Sequence, residues 1–353
     1  MSRFLNPRYA KLEAYVPGEQ PTECHYIKLN TNESPFPPSP EVLALANADQ
    51  AALLRLYPDP DCGTLRKKLA AYYQVSEQNV IVANGSDDIL NLAFMAFGST
   101  EYPVCFPDIT YGFYSVFSDL HGISSRKIPL ETDFSINPDQ YRDGFIVLAN
   151  PNAPTGLSLS VAQIESIVKA NPNHVVLIDE AYVDFGGQSC VELTRQYDNL
   201  LVVMTFSKSR NLAGARIGFA VGTIALIDDL NRIKNSINPY SVNRFSLAIG
   251  TAAIDSQTYY DTCCQEIIRI RETTAAKLKA LGFTVIPSHG NFLFIKKETL
   301  AGDKFYHALR AHGILARHWD HKRICDYIRV SIGTEAEMET FVETTQAITK
   351  EFL

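Results

Sequence analysis

The chain has 353 residues, of which 46% are hydrophobic and 20% charged, a composition ordinary for a globular protein with ample material for a core. This length favours about two domains. The formal net charge of −7 argues against a nucleic-acid or anionic-membrane surface, while a local basic pocket for a small anion stays open.

Targeting and metal-binding patterns are missing from the sequence. The N-terminus, MSRFLNPRYAKLEAY, has neither the apolar stretch nor the cleavage site of a secretory signal, and no apolar run approaches the roughly 18 residues that span a bilayer. The seven cysteines are irregularly scattered, and the adjacent pair Cys263 and Cys264 matches no metal or redox spacing. We therefore expect no metal, and a cytoplasmic location in which the thiols stay reduced.

Residues 1–40 are rich in proline through the stretch NESPFPPSP and predict no regular domain. We expect this segment to pack across the rest of the chain, against a small C-terminal domain and the functional site.

Short apolar runs alternate with helical segments from about residue 80. Each run is continuously apolar, as expected of a strand that helices cover on both faces. The segment SDDILNLAFMAF predicts a helix that Ser86 caps, with Asp87 and Asp88 in its first turn. Residues 41–255 therefore predict a large α/β domain with a mainly parallel sheet and ligands at the carboxyl ends of its strands. The predicted strands are VIVA (80–83), EYPVCF (101–106), FIVLA (145–149), HVVLI (174–178), LLVVMTF (200–206) and RIGFAVG (216–222).

The pattern changes after residue 255. The charged segment DTCCQEIIRIRETTAAKLKALG predicts a long helix that ends at Gly282. Strand-like segments FTVIP, NFLFIK and YIRVSIG follow, with the predicted helices DKFYHALRAHG and EAEMETFVETTQAITKEF between and after them. Residues 256–353 therefore predict a smaller α+β domain.

Polar residues follow two of the predicted strands at the point where each strand ends. Asp179 comes directly after HVVLI, and it is either a helix-capping residue or a buried anion that needs a cationic partner. Tyr182 follows three residues later. LLVVMTF is followed by Lys208, which either extends its amine to the surface or presents it at the same sheet edge as Asp179.

Two further strand ends carry turn or anion-binding patterns. LANPNAPTG is typical of a plain turn. VANGSDDIL places Gly85, Ser86 and Asp87 at a helix N-terminus, where unpaired N–H groups can bind a phosphate. Ser207 and Arg216 are further candidate phosphate ligands. The sequence has no Walker A motif and no G-x-G-x-x-G in a strand-to-helix setting, which disfavours an NTPase and a dinucleotide-dependent dehydrogenase.

The motif series NPNAPTG, IDEAYVDF and SKSRNLAGARIG resembles that of the fold-type I pyridoxal-phosphate enzymes of the aspartate aminotransferase superfamily. The flanking segments narrow the resemblance to the histidinol-phosphate aminotransferase family over about residues 3–350. They are IKLNTNESPFPPSP, LYPDPDCGTLRKKLA, NGSDDILNLAFMAF, PDITYGFY, GNFLFI, GILAR and DYIRVSIGT. The resemblance implies a class II aminotransferase whose large α/β domain binds pyridoxal 5′-phosphate.

The resemblance also implies roles for the residues around the cofactor ring. Lys208 would form a Schiff base with the cofactor aldehyde and, once freed, shuttle a proton between the substrate Cα and the cofactor. Asp179 would pair with the pyridinium nitrogen and keep it protonated, so that the ring accepts electrons. Tyr182 would hydrogen-bond the ring 3-oxygen. Tyr111 would stack on the ring face, although it could equally be a core aromatic.

The resemblance assigns a further set of groups to the cofactor phosphate: the backbone of Ser86 and Asp87 and the side chains of Thr205, Ser207 and Arg216. The planar fork of an arginine can bind two phosphate oxygens. In this family a tyrosine from the partner subunit completes the phosphate site, and Tyr57 in LYPDP matches it. The resemblance therefore implies a homodimer with shared sites.

One position departs from the family pattern. The common form of the turn has an asparagine directly before Pro-Thr-Gly, where it contacts the ring 3-oxygen, whereas this chain has Ala153 preceded by Asn152. Either Asn152 takes over that contact or Tyr182 alone serves the oxygen. We expect Asn152 to lie near the ring.

By the same resemblance, Arg317 and Arg329 bind the substrate, while Tyr15 and Asn32 close the pocket. The arginines would accept two anions in turn, the phosphate of histidinol phosphate and a carboxylate of glutamate or 2-oxoglutarate. A surface salt bridge is the alternative for Arg317. The mechanism would be ping-pong on one site.

The resemblance thus implies transamination between histidinol phosphate and 2-oxoglutarate in histidine biosynthesis, giving imidazole acetol phosphate and glutamate. Threonine-phosphate decarboxylation in cobalamin synthesis and transamination of aromatic amino acids share the fold and cofactor and stay open. A non-enzymatic regulator with this fold is the alternative of another class. The joint presence of Lys208, Asp179, Tyr182 and Arg216 argues against it.

Overall fold

The structure is a computed structural model that describes residues 3–21 and 26–352. In chain order the strands are β1 (Ile27–Lys28), β2 (Val80–Ala83), β3 (Val104–Pro107), β4 (Ser125–Ile128), β5 (Phe145–Ala149), β6 (Val176–Asp179), β7 (Leu200–Thr205), β8 (Gly218–Val221), β9 (Thr284–Ile286), β10 (Phe292–Lys296), β11 (Ile314–Leu315), β12 (Arg317–His318) and β13 (Ile328–Ser331). The helices are α1 (Pro40–Ala44), α2 (Ala48–Ala52), α3 (Gly63–Tyr73), α4 (Ser86–Phe97), α5 (Phe113–His121), α6 (Val161–Ala170), α7 (Ile224–Ile237), α8 (Arg244–Asp255), α9 (Gln257–Ala280), α10 (Gly302–Ala311) and α11 (Glu335–Glu351).

The continuous apolar runs form a seven-stranded central sheet in the order β2-β8-β7-β6-β5-β3-β4. Every residue of β2, β3 and β5 to β8 is buried, because helices and their hydrophobic side chains cover both faces of the sheet. Neighbouring strands are parallel except at β8, which runs antiparallel to both β2 and β7. The predicted α/β fold with a mainly parallel sheet is confirmed.

Two strands of this sheet, β4 and β8, differ from the sequence expectation. β4 has the sequence SRKI and is mostly exposed, so no apolar run marked it. The strand predicted over residues 216–222 begins only at Gly218, because Arg216 has a φ of 52°, in the left-handed region that a strand does not use.

The start of α4 also differs from the expectation. Ser86 was expected to cap this helix, but it is the first helical residue and Gly85 is the N-cap. Gly85 has a φ of 87°, which a residue with a Cβ adopts only under strain. The change leaves the Ser86 N–H at the end of the helix, free of an intrahelical partner.

A second, antiparallel sheet has the order β12-β13-β10-β9 and packs against α9, α10 and α11 around one hydrophobic cluster. β1 pairs in parallel with β11, which attaches the N-terminal segment to this smaller unit. Within the described ranges, no helix is long and apolar enough to cross a membrane. The cysteines of those ranges are free thiols, and Cys24 lies outside them.

Candidate active site

The carboxyl ends of the parallel strands meet at one edge of the central sheet. Because β8 is antiparallel, its amino end and the preceding Arg216 reach the same edge. A cavity of about 410 Å³ lies there, with arginines of the smaller sheet on its far side. The predicted site residues that line this cavity are Tyr15, Ser86, Asp87, Tyr111, Asp179, Tyr182, Thr205, Ser207, Lys208, Arg216, Arg317 and Arg329.

Asn152 has no place in the cavity wall. It is buried in the turn after β5, where its Oδ1 accepts a hydrogen bond from Thr110 Oγ1 at 2.7 Å. Its Nδ2 donates to the Ile109 carbonyl at 3.1 Å. The turn thus uses both ends of the amide, and Ala153 and Pro154 line the cavity instead of Asn152.

Two other predicted residues also lie outside the wall. Asn32 is buried behind Tyr182, and its Nδ2 donates to the Tyr182 hydroxyl at 3.0 Å, so it supports a wall residue. Tyr57 is 79% exposed on the protein surface. Its ring stacks on that of Tyr240 with 4.7 Å between the centroids, away from the cavity of its own chain.

Lys208 extends into the cavity from the loop after β7. Its Nζ donates to the Thr31 carbonyl at 3.1 Å and lies 5.8 Å from the centroid of the Tyr182 ring. Burial, followed by the charge of Arg329, lowers the pKa of this amine to about 8. Lys208 can therefore lose its proton near neutral pH and act as a nucleophile or a base.

Asp179 ends β6 and is almost fully buried. Burial raises the pKa of its carboxyl group to about 6, although two hydrogen bonds oppose that rise. The Tyr114 hydroxyl donates to Oδ2 at 2.9 Å, and the Ala181 N–H donates to Oδ1 at 3.2 Å. The carboxylate therefore favours a ligand that brings a cationic group to it.

Tyr114 was not predicted as a site residue. It lies in the first turn of α5 and is fully buried, so its sequence pattern is that of a core aromatic. Nothing in the sequence around Tyr114 indicates that its hydroxyl reaches Asp179. The general rule that a buried tyrosine hydroxyl needs a polar partner is the one signal that could have identified Tyr114 as a site residue.

The turn between β2 and α4 comes very close to β8. A Cβ atom built on Gly218 would lie 2.2 Å from both the Gly85 carbonyl carbon and the Ser86 nitrogen, so only glycine fits there. This approach brings Arg216 beside the free N–H groups at the start of α4. Backbone N–H groups, a guanidinium and the adjacent buried hydroxyl of Ser207 form a site suited to a phosphate.

Asp87 links the phosphate-type site to an aromatic wall. Its Oδ1 accepts a hydrogen bond from the Tyr111 hydroxyl at 2.8 Å, and its Oδ2 pairs with Arg216 Nη2 at 3.1 Å. The two contacts orient the Tyr111 ring and the guanidinium at the same time. Thr205 has a similar supporting contact, since its hydroxyl donates to Ser207 Oγ at 3.0 Å.

Arg317 and Arg329 lie directly opposite each other on the antiparallel strands β12 and β13. Arg317 Nη2 donates to the Val16 carbonyl at 3.0 Å, and Arg329 Nη2 donates to the Asn30 carbonyl at 3.0 Å. The buried Nε of Arg329 has no hydrogen-bond partner. Desolvation lowers the pKa of Arg329. Two guanidiniums with unused donors therefore face the cavity and are suited to an anion.

The loop before β13 is tied to the central sheet by an ion pair that was not predicted. Arg323 Nη1 lies 2.8 Å from Asp108 Oδ2, and Arg323 Nη2 donates to the carbonyls of Leu130 and Glu131 at 2.8 and 2.9 Å. Asp108 follows β3 and lines the cavity. The pair joins the loop before β13 to the end of β3, between residues 215 positions apart.

Comparisons with known proteins agree with this geometry. The family model for "Aminotransferase class I and II" matches residues 25–344. Histidinol-phosphate aminotransferase 2 of Dechloromonas aromatica is 47% identical over 99% of this chain and 100% of its own length. Histidinol-phosphate aminotransferase of Clostridium acetobutylicum is 46% identical over 97% of this chain and 98% of its own.

A solved structure shares the fold. The histidinol-phosphate aminotransferase of Sinorhizobium meliloti in complex with pyridoxal-5′-phosphate aligns with a TM-score of 0.87, over 100% of this chain and 99% of its own. Its sequence identity to this chain is 23%, so the likeness establishes the architecture.

Proposed function

The chain belongs to the class I and II aminotransferase family, and on that premise we propose that it transfers an amino group between histidinol phosphate and 2-oxoglutarate, with pyridoxal 5′-phosphate as its cofactor. Full-length relatives that carry the name histidinol-phosphate aminotransferase support this reaction. The observation that carries the proposal is one cavity that combines a lysine of pKa about 8 with two opposed arginines.

The residues at the sheet edge fit this cofactor. The turn at Gly85 and Ser86 has no space for a Cβ on Gly218, and its N–H groups lie beside Arg216, as a phosphate requires. The buried Asp179 carboxylate has the charge and position to pair with a pyridinium nitrogen. When bound, the cofactor supplies an electron-withdrawing ring that accepts the electron pair left on the substrate Cα.

Lys208 supplies the amine and the base of the proposed reaction. With a pKa of about 8, a useful fraction of this amine is neutral near pH 7, far more than for an ordinary lysine. Its Nζ would take the proton from the substrate Cα. The contact with the Thr31 carbonyl holds Nζ in the cavity.

Asp179 and Tyr182 would set the electronic state of the cofactor. An ionised Asp179 would keep the pyridinium nitrogen protonated, and Tyr114 supports the ionised form by its hydrogen bond. Tyr182 would donate a hydrogen bond to the ring 3-oxygen while accepting one from Asn32. Tyr111, fixed by Asp87, would cover the face of the ring.

Arg317 and Arg329 would bind the remote anion of each substrate in turn. A phosphate and a carboxylate both match the fork of a guanidinium, so one pair of side chains can serve both halves of a ping-pong cycle. Tyr15 lies at the same wall, where its ring stacks on Phe113 at 4.2 Å. The N-terminal segment would thereby close the pocket over the substrate.

The proposal includes a homodimer in which Tyr57 enters the phosphate site of the partner subunit. Its exposed ring and stacking on Tyr240 support this role. Large exposed apolar side chains cluster in the sequence beside it, at Leu53, Leu54 and Leu56. Exposed apolar patches of this kind are typical of interaction surfaces. A cytoplasmic location is also proposed, and the free thiols of the described cysteines support it.

Turnover of two substrates tests the proposed reaction. Purified protein loaded with the cofactor is given histidinol phosphate and 2-oxoglutarate, and glutamate is measured; a parallel reaction contains threonine phosphate, and carbon dioxide is measured. We expect glutamate in the first reaction and no carbon dioxide in the second. Carbon dioxide without glutamate would replace the proposal by the decarboxylase alternative.

Two lysine variants complete the test. Lys208→Ala should abolish turnover, because the site then lacks its amine and its base. Lys279→Ala, which removes an exposed lysine from α9, should leave turnover unchanged. Turnover by Lys208→Ala close to that of the unaltered protein would contradict the role given to Lys208.

A further inference from the structure

The two cavity arginines are held in an electrostatically unfavourable arrangement. Arg317 and Arg329 are direct partners across the antiparallel pair β12 and β13, where like charges repel each other. Among the ion pairs of the described residues, neither arginine has a carboxylate partner within 4.0 Å. Backbone carbonyls accept one or two hydrogen bonds from each, which leaves most of their positive charge uncompensated.

An indole ring contacts both guanidiniums. Trp319 is the only tryptophan of the chain and lies two residues after Arg317, on the same side of the extended backbone. Its ring centroid is 5.7 Å from Cζ of Arg317 and 5.4 Å from Cζ of Arg329. Both distances are within the range in which the negative face of an aromatic ring attracts a cation, and indole is the strongest of the aromatic side chains in this respect.

The indole is itself held in place. Phe294 is the cross-strand partner of Arg329. Its ring contacts the Trp319 indole nearly edge-on, with 6.5 Å between the centroids and 72° between the planes. Phe292 contacts Arg329 from another direction, with its ring centroid 5.4 Å from Cζ. Arg329 is thus held between two aromatic rings, whereas Trp319 is the ring that Arg317 and Arg329 share.

We infer that Trp319 is a positioning residue that holds Arg317 and Arg329 together as a single anion-binding pair. The inference rests on the proposed function, in which that pair binds the phosphate of one substrate and a carboxylate of the other. Trp319 contributes no charge of its own and acts through the two guanidiniums. Removal of the indole ring should therefore weaken the binding of both anions, the phosphate and the carboxylate, to a similar degree.

The size of the effect follows from the two contacts. Cation–π contacts at partly exposed sites contribute an amount equivalent to about 2- to 5-fold in affinity each, so two contacts correspond to about 5- to 30-fold. Trp319→Leu should weaken binding of inorganic phosphate and of glutarate by that amount. Trp319→Phe keeps an aromatic face and should stay within about 3-fold of the unaltered protein.

Calorimetric titration of the cofactor-loaded protein with each anion gives these affinities directly. Tyr327→Leu is the matched control, because Tyr327 stacks on Phe294 in the same cluster at 4.6 Å, and the cation over its ring is Lys296 and not a cavity arginine. It should bind both anions normally even though its fold is weakened. In the unaltered protein, indole emission reports on this site alone, and it should change on addition of phosphate or glutarate.

Kinetics give a second reading. Trp319→Leu should raise KM for both substrates with little change in kcat, because the arginines contact the anion equally in the ground and transition states. Unchanged affinity for both anions in Trp319→Leu, or an equal loss in Trp319→Phe, would overturn the inference. Failure of the proposed reaction would look different: no turnover of histidinol phosphate by the unaltered protein, whatever the anion affinities of the variants.

Discussion

Gly218→Ala tests the most confined contact of the site, where β8 passes the start of α4. The added Cβ would lie 2.2 Å from the Gly85 carbonyl carbon and from the Ser86 nitrogen. Ordinary contact begins at 3.4 Å, so one of the two backbones has to move by about 1 Å. Neither obstacle is a side chain that could rotate away, and Gly218 is fixed by pairing with both Ala83 and Thr205.

The expected loss follows from that displacement. A phosphate oxygen at normal hydrogen-bond distance from the Ser86 N–H would move beyond hydrogen-bond range. A hydrogen bond to a charged group contributes about 1.5–3 kcal/mol, so cofactor affinity should fall by about 10- to 150-fold. The overpacked strand should also lower the free energy of unfolding by about 1–3 kcal/mol.

Equilibrium titration of cofactor-free protein with pyridoxal 5′-phosphate, followed by absorbance, measures the first quantity, and denaturant unfolding measures the second. Gly214→Ala is the control: it lies in the same loop as Arg216, and its added Cβ would meet no atom within 4 Å. This variant should bind the cofactor normally. An affinity of Gly218→Ala within twofold of the unaltered protein would show that the turn at Gly85 does not form the phosphate site.

Two predictions concern titrating groups. In cofactor-free protein, acetylation of Lys208, measured by mass spectrometry, should rise with pH around a midpoint near 8, because burial lowers the pKa of this amine to about 8. A midpoint above 10 would contradict the described burial. Tyr114→Phe should weaken cofactor binding most at low pH. The Tyr114 hydroxyl opposes the rise in the pKa of Asp179, so without it the carboxyl group stays protonated to a higher pH. As the pH is lowered, the variant should therefore begin to lose cofactor affinity at a higher pH than the unaltered protein. Identical pH profiles of the cofactor Kd would refute this.

The central sheet could be predicted because burial on both faces leaves a simple trace, the uninterrupted apolar run. β2 and β5 were predicted with their observed limits, and the other buried strands to within a few residues. β4 left no such trace, since it is an edge strand with three exposed residues. The reversal of β8 was also not predicted, because an apolar run has no direction.

The site residues were predicted where their position depends on a strand end, as for Asp179 and Lys208. The direction of a side chain within a turn is a different matter. Asn152 and Ala153 are neighbours, and only the backbone path decides that the alanine faces the cavity while the asparagine is bound by Thr110. Contacts between distant segments left no local pattern either, as with the pair of Asp108 and Arg323.

Burial shifts the pKa values of both Lys208 and Asp179 in the direction that favours the neutral side chain. The pH ranges in which the two buried charges destabilise the fold overlap. The folded-state pKa of Lys208 is lowered from 10.5 to about 8, so the cost of burying its charge is present below pH 8 and disappears as the pH rises through 8 to 10.5. The pKa of Asp179 is raised from 3.8 to about 6, so its cost is present above pH 6 and disappears on acidification. Each shift corresponds to about 3 kcal/mol, and between pH 6 and 8 the folded protein without its ligand has both costs at once. A ligand that brings a cationic nitrogen to Asp179 and takes the amine of Lys208 in its neutral form removes both. The charge distribution of the cavity therefore favours a cofactor of this type.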